Sequence, residues 1–183
     1  MGTEDTGSER ALGHLTTQLL AGVAAPRVLV GGLGMGYTLR ALLDGLRANS
    51  RLVVAELLPA VVRWNRGRLG HLSNHALRDP RVRLHVGDVA NLLNRRAWDA
   101  ILLDIDNGPE WMVQKSNQRL YGRAGLSRLL SALRPGGFIA LWSIQRNPDF
   151  ERRLASMGLR VRRFRRVSRD GDPYQPLVYV VQA

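Results

Sequence analysis

Gly32, Gly34 and Gly36 alternate with Leu33 and Met35 directly after the apolar run Val28-Leu-Val30, and Glu56 closes a second apolar run, Val53-Val-Ala-Glu56, about 20 residues further on. Glycines at such a bend let the main chain turn sharply and approach a ligand. A carboxylate at the next strand tip can accept both hydroxyls of a ribose. Together they make a nucleoside pocket. Two further acidic positions fall where strands should end: Gly87-Asp88 follows Arg81-Val-Arg-Leu-His-Val86, and Asp104 and Asp106 follow Trp98-Asp-Ala-Ile-Leu-Leu103. Asp88 is placed to accept from the exocyclic amine of an adenine, to cap the helix that follows, or to do both. Asp104 and Asp106 mark where the chemistry should lie; the plainer alternative is an acid satisfied by nearby backbone amides.

The glycine spacing excludes two common nucleotide sites. A dinucleotide fingerprint needs glycines at i, i+2 and i+5, but Tyr37 and Leu39 stand at the third position of the two available frames. A phosphate-binding loop starting at Gly31 would need lysine where Tyr37 stands, although Thr38 follows as that motif requires. What remains is a turn of the kind that binds S-adenosylmethionine (SAM) or a relative, a nucleoside with no pyrophosphate to neutralise. His71, His75 and His85 show no metal-ligand spacing, so no metal is expected.

These positions need strands that end together. Strands are expected at 27–31, 51–56, 81–86, 99–104 and 137–143, with helices at 37–48, 58–69, 89–95 and 117–133; that alternation makes a parallel sheet covered on both faces. Arg134-Pro-Gly-Gly137 should stop the last of these helices and turn into the next strand. A helix at 148–157 is followed by strands at 159–166 and 177–182 with only a loop between them, so the pair should form an antiparallel hairpin at the sheet edge. Residues 1–25 form an N-terminal helical segment, with Ser8 as its cap, that should lie over the pocket; 26–183 form one nucleoside-binding domain. Trp64 and Trp98 are expected in the core.

The chain has 183 residues, no cysteine and a formal charge of +12, with Lys115 its only lysine. Disulfides and thiolate chemistry are thereby excluded. The lack of an apolar run of about 18 residues or of a signal-peptide core argues for a cytoplasmic protein with no membrane partner. Nine arginines lie between Arg146 and Arg169 against Asp149 and Glu151. The preferred reading is the solvated side of an edge strand and a helix; a site for an anionic partner such as nucleic acid is the alternative.

Seven strands with the last one reversed resemble the Rossmann-like class I methyltransferase fold, in which the strand order is 3-2-1-4-5-7-6. Within that fold, Thr38-Leu-Arg40 at the end of the glycine turn, Glu56, Gly87-Asp88, Asp104 and Leu120-Tyr121 are similar to the spermidine synthase family of polyamine aminopropyltransferases. The resemblance implies a donor, SAM or its decarboxylated form, held by Gly32, Gly34, Gly36, Glu56, Gly87, Asp88 and Asp104. It also implies a small-molecule amine acceptor, proton handling by Asp104 and Asp106, no metal, and a homodimer. Tyr37, Trp111, Tyr121 and Trp142 are aromatic residues that could line the rim of the acceptor site; packing in the core or an interface is the alternative, and the preferred one for Trp142. The chain departs from the family in three places. Met35 replaces an acid in the turn, Asp104-Ile-Asp-Asn-Gly-Pro109 replaces a loop rich in Ser, Thr and Asp, and 26 residues stand where members carry an N-terminal β-hairpin domain. Methyl transfer to an unknown small molecule or nucleic acid is therefore the second expectation. A noncatalytic nucleoside- or nucleic-acid-binding module is the third.

Overall fold

The computed structural model describes residues 7–105, 117–165 and 176–182. Among them, strands β1 (Arg27–Gly31), β2 (Arg51–Glu56), β3 (Val82–Val86), β4 (Trp98–Leu103), β5 (Leu133–Ser143), β6 (Arg160–Arg165) and β7 (Leu177–Gln182) form one sheet in the order β3-β2-β1-β4-β5-β7-β6. The first five are parallel, and β7 runs antiparallel to both β5 and β6. The expected fold class and strand order are both observed. Strands β1 and β4 are almost wholly buried apolar residues, as a parallel strand covered on both faces must be.

Helices α1 (Gly7–Leu19), α2 (Tyr37–Gly45) and α3 (Pro59–Arg66) cover one face. The short α4 (Gln118–Tyr121), α5 (Arg123–Ala132) and α6 (Pro148–Ser156) cover the other. Leu12 and Leu20 are buried with Leu39 and Leu42 of α2, and Gly13 lets α1 pass close to Thr38 and Ala41. Helix α1 starts at Gly7, one residue before the expected cap at Ser8, and stops at Leu19 rather than near residue 24.

Three expected helices are shorter than their apolar periodicity implies. The helix expected over 58–69 stops at Arg66, and two 3-10 turns at 70–73 and 76–78 continue the chain. The one expected over 89–95 is a 3-10 turn at 89–92, in a segment where Asn91 and Asn94 are poor helix formers. The one expected over 117–133 breaks at Gly122, whose backbone is extended. Trp64 is 47% exposed, a correction to its expected place in the core; Trp98 is buried. The Pro-Gly-Gly segment makes an irregularity between two paired stretches of β5, one at Leu133 and one from Phe138 onward.

Arg81 ties the sheet to the helix that follows the glycine turn. Its guanidinium donates to the carbonyl oxygens of Leu43 and Leu46 at 3.0 and 2.8 Å, groups that the end of α2 leaves without helical partners. Asp79 holds the guanidinium from the other side at 2.8–2.9 Å, and those hydrogen bonds keep its carboxyl below the ordinary carboxylate range. Because the folded-state value is depressed, the stabilisation is complete above the unfolded value and disappears as pH falls through the folded one. Thermal melts of the Asp79→Asn variant should therefore lose stability relative to the parent near neutral pH and converge on it between about pH 5 and pH 2. Arg81→Leu, which strands two carbonyls and a carboxylate, should cost about 2 kcal/mol in denaturant unfolding at neutral pH.

Candidate functional site

The carboxyl ends of the parallel strands stop level with one another. Gly31 pairs with Ala55 on one side and Leu103 on the other, and Glu56 pairs with Val86. The backbone continues this pairing for one more step, with Gly32 N–H donating to Ala55, Gly87 N–H to Glu56 and Asp104 N–H to Gly31, each at 2.8 Å. Gly87, Glu56, Gly32 and Asp104 are thus brought together in a single row across β3, β2, β1 and β4, as ligand sites in open α/β sheets require.

Gly32 has φ +91°, and a Cβ there would stand 2.2 Å from the carbonyl oxygen of Asp104, so only glycine lets β1 turn this close to β4. Gly34 differs. It has φ +51°, and no atom lies within 4 Å of where its Cβ would be, so this bend faces open space. From the far side, Asn65 on α3 steadies the turn by donating to the Gly34 carbonyl at 2.8 Å and to Val61 at 3.0 Å. Gly36 completes the turn at φ +82° and leads into α2.

Glu56 is only 7% exposed, yet carries no cationic partner among the described residues. One carboxylate oxygen accepts the Leu33 N–H and the other the Leu58 N–H, both at 2.9 Å. A carboxylate offers about four acceptor sites, so two remain for a ligand. Beyond it, Leu57, Leu58 and Val86 are about half exposed, an apolar border at the tips of β2 and β3. Asp88 accepts the Ala90 N–H at 2.8 Å, capping the 3-10 turn, and also pairs with Arg119 of α4. Asp104 is partly buried and accepts from the Thr38 hydroxyl at 2.7 Å, which links the tip of β4 to the first turn of α2.

Of the expected acceptor-side residues, Asp106 and Trp111 lie outside the described residues. Tyr37 is buried at the start of α2 beneath the Arg10 guanidinium, 5.8 Å from its ring. Tyr121 is 3% exposed and packs edge-on against Phe150, on the face of the sheet opposite α1. Packing, the alternative role for such rings, describes both. Sequence reasoning missed Asn65, Arg119 and the exposed Leu57–Val86 border. Among the described residues, no group of three or more His, Asp or Glu could hold a metal ion, and no helix is long and apolar enough to cross a membrane.

No protein-family model and no curated relative matches this chain. Solved structures do. Spermidine synthase from Thermotoga maritima superimposes with a TM-score of 0.70 at 18% identity over 96% of this chain, which spans 59% of that protein. A Klebsiella pneumoniae protein assigned as an O-methyltransferase gives 0.68 at 22% identity, covering 100% of this chain and 84% of that one. The O-methyltransferase from Bacillus cereus in complex with SAH gives 0.65 at 19% identity, covering 98% and 82%. At these identities the likeness establishes the fold. The chain has the class I methyltransferase fold.

Two alanine substitutions should separate the roles of the turn. Gly32→Ala, with a side chain driven into the Asp104 carbonyl, should destabilise the protein by at least about 3 kcal/mol in denaturant titrations. Gly34→Ala should cost only about 1 kcal/mol, the penalty of a left-handed conformation without a clash.

Proposed function

We propose that the chain is a transferase that binds SAM or its decarboxylated form and passes an alkyl group to a small-molecule acceptor. The observation that carries this reading is the Glu56 carboxylate, fixed by two backbone amides with acceptor capacity to spare, beside a glycine bend that is open at Gly34. That pair fits a ribose and the chain attached to it. Leu57 and Val86 offer an apolar border for a purine, and Asp88 stands beyond β3 for its exocyclic amine.

A sulfonium donor supplies an electrophilic carbon and leaves as a neutral thioether. The protein then has little covalent chemistry to perform, and alignment carries most of the rate. An acceptor O–H or N–H must lose its proton as its bond to carbon forms and the carbon–sulfur pair goes to sulfur. Asp104 is the carboxylate nearest the turn on β4, and its position is held by Thr38. In this scheme Asp104 receives the proton directly or through water.

Methyl transfer from SAM is the reading we favour, because Met35 leaves the turn without an acid to meet the free propylamine of the decarboxylated donor. Aminopropyl transfer is the second reading, supported by Thr38-Leu-Arg40 and by the spermidine synthase likeness. Calorimetry should show S-adenosylhomocysteine binding more tightly than methylthioadenosine; the reverse order would move the assignment to aminopropyl transfer. Binding of neither would sink the proposal. Gly34→Ala should abolish that binding while the protein stays folded. Once an acceptor is known, Asp104→Asn should lower kcat about a hundredfold with a small change in donor KM.

A further inference from the structure

A cavity of about 290 Å³ opens between α1 and the sheet at β5, β7 and β6, apart from the residues of the glycine turn. That volume is at the lower end of small-molecule sites, roughly 300–1,000 Å³. His14, Leu15 and Gln18 line it from α1, at the spacing that puts residues on one stripe of a helix. Opposite them stand Trp142, Val178 and Phe164. Trp142 pairs with Val178 and Val178 with Phe164, so the three form a level shelf across three strands.

The shelf extends the row that holds the candidate site. Leu103 of β4 pairs with Leu141 of β5, which puts Asp104 level with Trp142 one step further along. Ala100 and Leu102 on β4, and Phe138 and Ala140 on β5, belong to the core on the α1–α2 face. By strand alternation Asp104 and Trp142 share that face, consistent with the Thr38–Asp104 hydrogen bond. The cavity therefore begins one strand away from Asp104.

Its chemistry is distinctive. Trp142 and Phe164 make its walls with Ala11, Leu15, Pro176, Leu177 and Val178, none of the described residues lining it is a carboxylate, and its polar lining is His14, Gln18 and Arg165. The Arg162 guanidinium lies over the Phe164 ring at 4.9 Å, adding positive charge beside the shelf. The Trp142 indole N–H is shut off from solvent without an acceptor among the described residues. Flat apolar walls select a planar body, and cations without a facing acid select a negative charge on it. Among the described residues lining it a polyamine would find no counter-charge.

From this geometry we infer that the cavity binds a small planar aromatic acid, and that such an acid carrying a ring hydroxyl or amine is the acceptor class of the site at Asp104: its O–H or N–H gives the proton to Asp104 as the new bond to carbon forms and the carbon–sulfur pair leaves with the neutral thioether. The second half rests on the proposed transferase reading; the first does not. The probe is 2-naphthoate, with 2-naphthylmethylammonium and spermidine as comparators. Binding is followed through the Trp142 indole signal in nitrogen-edited NMR, assigned with Trp142→Phe. Saturable shifts are expected with 2-naphthoate and none with spermidine. Ala11→Trp, which fills the cavity from α1, should weaken 2-naphthoate by about tenfold or more while leaving S-adenosylhomocysteine binding intact. His14→Glu, an exposed change, should weaken it about fivefold and favour the ammonium comparator. No saturable shift, or an unchanged affinity in Ala11→Trp, overturns the site; tighter binding of either cation overturns the ligand class. If 2-naphthoate binds equally well with and without saturating S-adenosylhomocysteine, its role as acceptor is overturned while the site stands. If S-adenosylhomocysteine fails to bind and 2-naphthoate binds, the transferase reading fails and the cavity assignment survives.

Discussion

The carboxylate of Glu56 is buried, and a buried charge must be answered by hydrogen bonds or by an opposite charge. Here the answer comes from main-chain N–H groups on both sides, Leu33 inside the glycine turn and Leu58 ahead of α3. Neither segment can move away without stripping the carboxylate, so the turn's shape and the position of the acid depend on each other. The remaining restraints act on the same turn. Gly32 is pressed against the Asp104 carbonyl, Asn65 holds the Gly34 carbonyl, and Thr38 ties α2 to Asp104. A bend held from four directions can leave Gly34 facing open space without collapsing into it, and this preorganisation is what a binding site needs.

The strands and the positions of the acids were legible because both follow from short-range pattern, whereas the strand order came with the resemblance to a known fold. Val28–Gly31, Val53–Glu56 and Ala100–Leu103 are continuous apolar runs, which parallel strands covered on two faces produce, and each ends in a glycine or an acid or is followed by one. The contacts that hold the site in place carry no such pattern. Asn65 reaches back 31 residues to Gly34, Arg119 reaches Asp88 across a similar distance, and Arg81 caps a helix 35 residues earlier. An asparagine in a helix or an arginine ahead of a strand looks like surface until the chain is folded. Apolar periodicity misled in the opposite sense at Trp64, which stands where a helix meets solvent. The shelf at Trp142 was hidden for another reason: its neighbours on the sheet come from three distant segments, and only the register places them level with Asp104.

The described part of the arginine-rich end is folded largely around its own charges. Arg146 and Arg163 both donate to Glu151, and those contacts, led by Arg146, hold the Glu151 carboxyl below its ordinary range. The buried Tyr179 hydroxyl joins the same group and accepts from the backbone of Asn147, which in turn caps α6. Arg153 donates to the Tyr121 carbonyl, and Arg152 pairs with Asp149. Strand β6, at the open edge of the sheet, alternates exposed arginines with half-buried Val161 and Phe164. Charges along an edge strand discourage another chain from pairing with it. The cluster thus closes the fold as well as charging its surface.

That charge has a consequence for the crevice beside it. With a formal charge of +12, the protein's field favours anions over cations at long range, although screening limits its reach to about 8 Å at physiological ionic strength. The proposed sulfonium donor would have to be held against this field by contacts inside the crevice, where Glu56, Asp88 and Asp104 stand within a few strands of one another. The proposed acceptor would have no equivalent help one strand further on, since among the described residues no acid lines the shelf from Trp142 to Phe164, which is apolar with cations around it. Under the proposed assignments the sheet would sort its ligands by charge along a single row of strand tips. The proposed cationic donor would sit beside β1 to β4 and the proposed anionic acceptor beside β5 to β6, and the two would meet at the boundary where Asp104 stands.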